Sequence, residues 1–254
     1  MPITTSFDPD TAAIISPDKV IRSGLDFPDT MIVTFQPRTF DVLLEQYDTA
    51  FLAGLYLEED YGGLAGRAYS FDFQGHTLAG CLSYVGAPNT VAILEKAIAY
   101  GVTKFVVFGT CGALTDIDPG CLIVPSSAYR DEGTSYHYAG TGDYIDIPTA
   151  PETARILHTL GVPHTVAPVW TTDAFFRETE ANMAKRVAEG CVAVDMESSA
   201  LAALAQFRSV DIYHFLYAAD SLSDRVWDPR TLNMLPAEPR ARYLRIAMEI
   251  AVRL

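Results

Sequence analysis

The chain has 254 residues, 49% of them hydrophobic and 20% charged, a composition that excludes disorder over most of its length. Eighteen lysines and arginines against 32 acidic residues give a net charge of −14, which repels a phosphate backbone and removes nucleic acid from the expected partners. Cys81, Cys111, Cys121 and Cys191 lie far apart with no paired CxxC spacing, so neither a zinc ribbon nor a disulfide scaffold is expected.

A reducing cytoplasm fits that cysteine usage. The opening residues show no basic region followed by an apolar core, and no apolar run reaches the roughly 18 residues of a spanning helix, so neither export nor a membrane is expected.

Residues 1–30, broken by Pro2, Pro9, Pro17 and Pro28, read as an N-terminal arm. Residues 31–254 read as a single α/β domain. "MIVTF" (31–35) is β-prone, and after Pro37 the spacing of Phe40, Leu43, Leu44 and Tyr47 in "RTFDVLLEQYDTAFLAGLY" is helical. "RAYSFDFQG" and "HTLAGCLSYVG" alternate about Gly75 as a hairpin does. Pro88 and Asn89 open a helix that Gly101 stops. "KFVVFGT" (104–110) is a continuous apolar run suited to a central strand, and "CLIVPSSAY" repeats the pattern more weakly. Downstream, "ETARILHTLG", "EANMAKRVAEG", "MESSALAALAQF" and "PRARYLRIAMEIAVRL" read as helices, alternating with the strands "HTVAPVW", "CVAVD" and "IYHFLYAAD". This alternation predicts a twisted mixed central β-sheet flanked by helices, with parallel connections over most of its second half.

"VFGTCGALTDIDPG" (107–120) follows the central strand. In open α/β sheets ligands sit beyond the carboxyl ends of strands, where glycines allow close approach to the backbone. Spacing alone leaves open whether Gly109 and Gly112 serve a ligand or a tight turn. Neither GxGxxG nor GK[ST] is present, so the segment is not a dinucleotide fingerprint or a P-loop.

Taken in order, "YVGAPNTVAILEKAIAYGVTKFVVFGTCGAL", "IDPGCLIVPSSAYRDEGTSYHY", "WTTDAFF", "VAVDMESSALAALA" and a strand ending "YAAD" resemble the purine nucleoside phosphorylase and uridine phosphorylase family, which also holds the methylthioadenosine and AMP nucleosidases. The resemblance implies cleavage of a nucleoside's N-glycosidic bond, with inorganic phosphate as co-substrate to give ribose 1-phosphate or with water to give ribose. It implies no metal or organic cofactor, and a homo-oligomer, a dimer or a hexamer. Tyr136 and Tyr138 read as exposed loop aromatics suited to such assembly.

By the same resemblance Glu197 accepts hydrogen bonds from the ribose 2′- and 3′-hydroxyls, Met196 packs on the sugar face, Asp195 plays a supporting polar role and Phe175 lies against the base. Asp220 protonates, or hydrogen-bonds to, N7 of a leaving purine, and Thr110 touches phosphate or sugar. Cys111 is counted with Gly109 and Gly112, whose amides face an anion as a backbone nest. The residue types suit the chemistry: an oxocarbenium-like sugar calls for negative charge beside it, and a departing base calls for a proton. Each also has a plain alternative. Acids at 195 and 197 can cap the following helix, Asp220 can cap a turn, and Phe175 can be core, with Phe176 the exposed ring.

Two departures stand out. The arginine that phosphorylases of this family carry two residues before the first glycine is Val107 here, and the Gly-Asp-Pro-x-Arg segment is reduced to "TFQPRTF", retaining Pro37 and Arg38. A phosphate dianion is the natural partner of an arginine fork, so Arg38, Arg67 and Arg130 are the candidate replacements. The departures favour a nucleosidase as the second reading, and a non-catalytic nucleoside-binding protein as the third. His137, in "RDEGTSYHY", receives no assigned role.

Overall fold

The computed structural model describes residues 3–22, 24–56, 63–232 and 236–254. Strand β1 (Thr30–Thr34) is buried throughout, as a strand covered on both faces must be. Helix α1 (Pro37–Gln46) begins with proline at its first position, where the missing N–H is not needed. The helical spacing read through this region ends there: Thr49–Gly54 is strand β2, at the edge of the sheet. Phe51 and Leu52 suit either period, and pairing with β3 decides the outcome.

β3 (Arg67–Phe73) and β4 (His76–Leu82) form the expected hairpin, turning through Gln74 (φ 50°) and Gly75 (φ 81°), the left-handed pair that a tight two-residue loop requires. After them come α2 (Ala87–Ala99), β5 (Lys104–Ala113), β6 (Leu122–Asp131), the short α3 (Ser135–Tyr138) and β7 (Tyr144–Asp146). The chain continues through α4 (Ala150–Thr159), β8 (His164–Thr172), α5 (Glu180–Ala188), β9 (Ala193–Asp195), α6 (Ser198–Arg208), β10 (Asp211–Ser221) and α7 (Ala237–Ala251).

The strands form one mixed sheet in the order β10-β6-β8-β9-β5-β1-β4-β3-β2, with β7 paired to β6. β10 also pairs with β5, so β5, β10, β6, β8 and β9 form a closed circuit of ladders. The second half is less parallel than its pattern suggested: β5–β10, β6–β8 and β8–β9 are parallel, whereas β10–β6 and β5–β9 are antiparallel.

β5 divides the core by its alternation. Val106 and Phe108 face a layer that includes Phe215, Leu244 and Ile250, with the Phe108 and Phe215 rings stacked at 5.2 Å. Phe105 and Val107 face the opposite layer with Met31, Val33, Leu94 and Leu201. The arm is held by aromatic contacts: Phe27 stacks on Tyr100 at 4.4 Å, and Phe7 meets Phe207 edge-on at 6.4 Å. Among the described residues, no helix is long and apolar enough to cross a membrane.

Candidate functional site

Three neighbouring strands set up the site. β9 lies on one side of β5 and β10 on the other, and Gly112 is the residue of β5 paired with both Val194 and Asp220. A β-bulge between Ala218 and Asp220 shifts the register there and turns the end of β10. A cavity of about 640 Å³ opens where these strands meet. Its lining includes Thr110, Cys111, Gly112, Phe175, Asp195, Met196, Glu197 and Asp220, so residues far apart in sequence converge on one space.

Gly109 does not line that cavity. A Cβ at Gly109 would stand 2.7 Å from Cδ2 of Phe35, and one at Gly112 would stand 2.9 Å from Cδ1 of Leu222 and 3.1 Å from Cγ1 of Val194. Gly109 therefore admits a protein side chain rather than a ligand, whereas Gly112 packs against Leu222 and Val194 and also lines the cavity. Both lie inside the extended β5, so the anion nest expected of their amides does not form, and neither does a tight turn.

The two acids of the Asp195-Met196-Glu197 segment divide their tasks. Asp195 Oδ2 accepts from the backbone N–H of Glu197 (3.1 Å), the N–H of Ser198 (2.7 Å) and Ser198 Oγ (2.7 Å), while Oδ1 accepts from Thr171 Oγ1 (2.7 Å). It is the cap of α6 and has little acceptor capacity left for a ligand. Glu197 makes no cap bond, and its Oε1 accepts from the N–H of Gly86 instead. Gly86 (φ 103°) needs its glycine to hold that conformation, and so presents the amide at the start of α2.

Burial, reinforced by the charge of Asp195, pushes the Glu197 carboxyl up to about 8, against the lowering by the Gly86 and Met196 amides. Burial raises Asp195 as well, but its hydrogen bonds from Ser198 and Thr171 oppose that rise. Four donors on Asp195 and one on Glu197 leave the negative charge on Asp195 and the proton on Glu197.

Asp220 Oδ2 accepts from the indole N–H of Trp227 at 2.8 Å. Burial raises its pKa, and the Trp227 bond works in the opposite direction. Phe175 begins a 3-10 turn, Phe175–Arg177, after β8, with its ring centroid 4.1 Å from that of Phe176. Both rings line the cavity, with Phe175 52% exposed and Phe176 88%. Cys111 is buried with its thiol pKa raised by burial, which makes it a wall rather than a nucleophile.

Arg38 faces a second cavity of about 270 Å³, lined also by Gln36, Thr110, Tyr217, Thr231 and Arg240. Gln36 and Thr110 line both cavities, and Gln36 Nε2 donates to Thr110 Oγ1 at 3.4 Å. Arg130 is not available to an anion: its buried guanidinium donates to Ser135 Oγ and to the carbonyls of Ala139, Gly140 and Gly142. Arg67, on β3, lines neither cavity. Val107 is fully buried among apolar side chains of the layer packed by α2 and α6. Tyr136 is buried rather than exposed, its hydroxyl donating to the Arg130 carbonyl, and Tyr138 is half-buried. His137 is exposed on α3, away from both cavities. Among the described residues, no group of three or more His, Cys, Asp or Glu stands ready to hold a metal ion.

Sequence reasoning did not single out Phe35, Gln36, Gly86, Glu178, Trp227 or Arg240. Only Gly86, just ahead of the helix-opening "APN", carried a local signal.

A family model described as the Phosphorylase superfamily matches residues 31–242. Guanosine phosphorylase of Halorubrum lacusprofundi is 28% identical over 141 residues, covering 53% of this chain and 57% of that protein. A protein of Acanthamoeba polyphaga mimivirus is 26% identical over 138 residues, covering 54% of each. The chain thus spans little more than half the length of these two relatives. Purine nucleoside phosphorylase DeoD-type of Alkaliphilus metalliredigens is 31% identical over 183 residues, covering 68% of this chain and 77% of that protein. The crystal structure of uridine phosphorylase from Vibrio fischeri superposes with a TM-score of 0.74 at 23% identity, covering 91% of this chain and 95% of that one, a likeness of fold. With the family's span running from β1 into α7, the chain belongs to the phosphorylase superfamily, among the nucleoside phosphorylases.

Proposed function

We propose that the protein cleaves the N-glycosidic bond of a purine nucleoside with inorganic phosphate, releasing the free base and ribose 1-phosphate. The observation that carries this reading is the junction of two cavities at Gln36 and Thr110, one bearing Glu197 and Asp220 and the other bearing Arg38 and Arg240. Neither guanidinium has an acidic partner or a hydrogen bond among the described residues, and the chain's net charge is −14. Two unpaired guanidiniums in so acidic a protein favour a small anion there.

In this reading the ribose hydroxyls donate to Glu197, whose second oxygen is left over by Gly86. Donors arriving at a carboxyl pushed up to about 8 favour its ionised form, so the negative charge develops once the sugar is seated. That charge stabilises the cationic sugar of the transition state. As the C1′–N9 bond breaks, its electron pair passes to the base, Asp220 gives its proton to N7, and a phosphate oxygen bonds to C1′. Burial of Asp220 keeps a proton available for this step. Phe175 offers the base a flat apolar surface.

Hydrolysis is the second reading. It is favoured by Val107, an apolar buried side chain where an arginine would be needed for phosphate, and by the Phe35 ring lying against Gly109. Incubation with purine and pyrimidine nucleosides, with and without phosphate, followed by mass spectrometry of the sugar product, tests both. Ribose 1-phosphate formed only with phosphate supports phosphorolysis, ribose in both buffers supports hydrolysis, and no cleavage leaves a nucleoside-binding protein.

A further inference from the structure

A third cavity, of about 150 Å³, lies between helix α6, the start of β10 and the turn leading into α4. It shares no lining residue with the two cavities described above. Pro148, Gln206 and Asp211 are exposed and form its mouth, while Ile147, Leu201, Ala202 and Ile212 are buried and make its inner walls apolar. At the buried end the polar side chains are Ser198 and His214.

The polar groups of this lining are engaged, with one exception at the floor. Thr149 Oγ1 donates to the Ile212 carbonyl and Gln206 Nε2 to the Asp146 carbonyl, while Ser198 Oγ bonds both Asp195 Oδ2 and His214 Nδ1. With its own hydrogen on the carboxylate, Ser198 takes the hydrogen of Nδ1, and Nε2 of His214 is a bare acceptor. His214 is 3% exposed, and this Nε2 has no partner among the described residues. Burial keeps the ring neutral by pushing its pKa down to about 3.

A buried acceptor without a donor is costly. Water suits this one poorly, since an internal water needs about two to four polar partners and the buried end offers a single free one. An apolar cavity of this volume has room for one six-membered ring. No lysine or arginine lines it, and Asp211 at the mouth opposes an anion.

We propose that this cavity is a binding site for a small neutral molecule with a compact apolar body and one O–H or N–H donor, which gives its hydrogen to Nε2 of His214. The apolar body fills the space between Leu201, Ala202 and Ile212, and the donor supplies what the floor lacks. Phenol has both parts, whereas toluene has the body alone. The site stands apart from the nucleoside reading and holds or falls without it. Occupancy is still felt beyond the cavity, because Ser198 joins His214 to Asp195, and Asp195 holds the backbone N–H groups of Glu197 and Ser198.

The test is calorimetric titration of the full chain with phenol and with toluene, alongside nitrogen-15 NMR of the histidine rings and backbone amides. Phenol is expected to bind with a Kd of about 0.1–1 mM, roughly 10-fold more tightly than toluene. The Nε2 resonance of His214 and the amides of Glu197 and Ser198 should move with phenol, and saturating inosine should not displace it. His214→Phe should keep toluene and lose the preference for phenol, while Ala202→Leu, which fills the cavity, should lose both. Failure of both probes to bind, equal affinity for the two, displacement by inosine, or a phenol preference that survives His214→Phe overturns the proposal. Melting curves verify that the variants fold; should His214→Phe not fold, the phenol-to-toluene ratio and the His214 resonance of the wild type decide.

Discussion

Ser198 Oγ stands 2.7 Å from Asp195 Oδ2 and 3.2 Å from Nδ1 of His214, so the capping acid and the imidazole are joined through one hydroxyl. The hydroxyl proton goes to the carboxylate, and the hydroxyl oxygen therefore accepts from Nδ1–H of His214. This fixes the tautomer with Nε2 bare, and Nε2 has no partner among the described residues.

Burial pushes His214 down to about 3. The unfolded chain takes up this proton near pH 6.5 and the folded one near 3, so His214 costs stability progressively as pH falls below about 6.5. Nitrogen-15 NMR should show a neutral Nδ1–H imidazole down to about pH 4, while Ser198→Ala should destabilise by about 1–3 kcal/mol in denaturant titrations. An imidazolium at pH 6 would contradict the hydrogen-bond directions.

Glu197→Gln should lower kcat by about 10²–10³-fold, the usual loss for a group that stabilises transition-state charge, and leave the helix cap intact because Asp195 supplies it. The stability sign is the reverse of that for His214. The folded carboxyl holds its proton up to about 8 and the unfolded one only to 4.5, so wild-type stability is lost as pH rises across that interval. The Gln variant should show a flatter melting profile over the same range. A variant that melts early yet turns over normally would argue against a role at the sugar.

Asp220→Asn should slow cleavage of poor leaving groups by about 10²–10⁴-fold, because the amide can donate a hydrogen bond but cannot transfer a proton. Nucleosides whose base departs readily as an anion should be affected much less. Equal losses across the series would mark Asp220 as the anchor of Trp227 and nothing more.

Arg240→Ala and Arg38→Ala should each raise the KM for phosphate with little change in the KM for nucleoside, a loss of about 2–5 kcal/mol if the guanidinium meets a dianion. Steady-state kinetics over a phosphate range checks this. Rates independent of phosphate in the wild type would move the assignment to hydrolysis.

Gly109→Ala should destabilise by about 1–3 kcal/mol through overpacking against Phe35, whose Cδ2 would lie 2.7 Å from the new methyl. Phe35→Ala in the same chain should recover much of that loss, and chemical denaturation of the two singles and the double measures the coupling.

The order of strands and helices was legible because apolar periodicity and glycine or proline punctuation agree along most of the chain. β2 was not, since Phe51 and Leu52 sit on an edge strand whose partner, not its own pattern, makes it a strand. The closure of β10 onto β5 was equally hidden, because pairing is a long-range property that no local window contains. At the site, Glu197, Asp220 and Phe175 could be named from motifs, whereas Arg240 could not: it lies on α7, well over a hundred residues from Thr110, and only the fold brings the two to one cavity. Of the two glycines of β5, Gly112 does line the cavity, whereas what comes close to Gly109 is the Phe35 ring, which no local pattern reveals.

The pairing of Gly112 with Val194 on one side and Asp220 on the other makes the site a gauge. Adjacent strands keep a spacing of about 4.8 Å, so the chain leading to Glu197 and the chain carrying Asp220 stand roughly 10 Å apart across three hydrogen-bonded strands. No hinge lies between the jaws, and changing their separation would mean breaking a ladder inside a closed ring. Reach is therefore built into the backbone: a ligand is measured against a fixed width, and adaptation to a longer or shorter one must come from the side chains that line the space beside the jaws, Phe175, Phe176 and Trp227 among them.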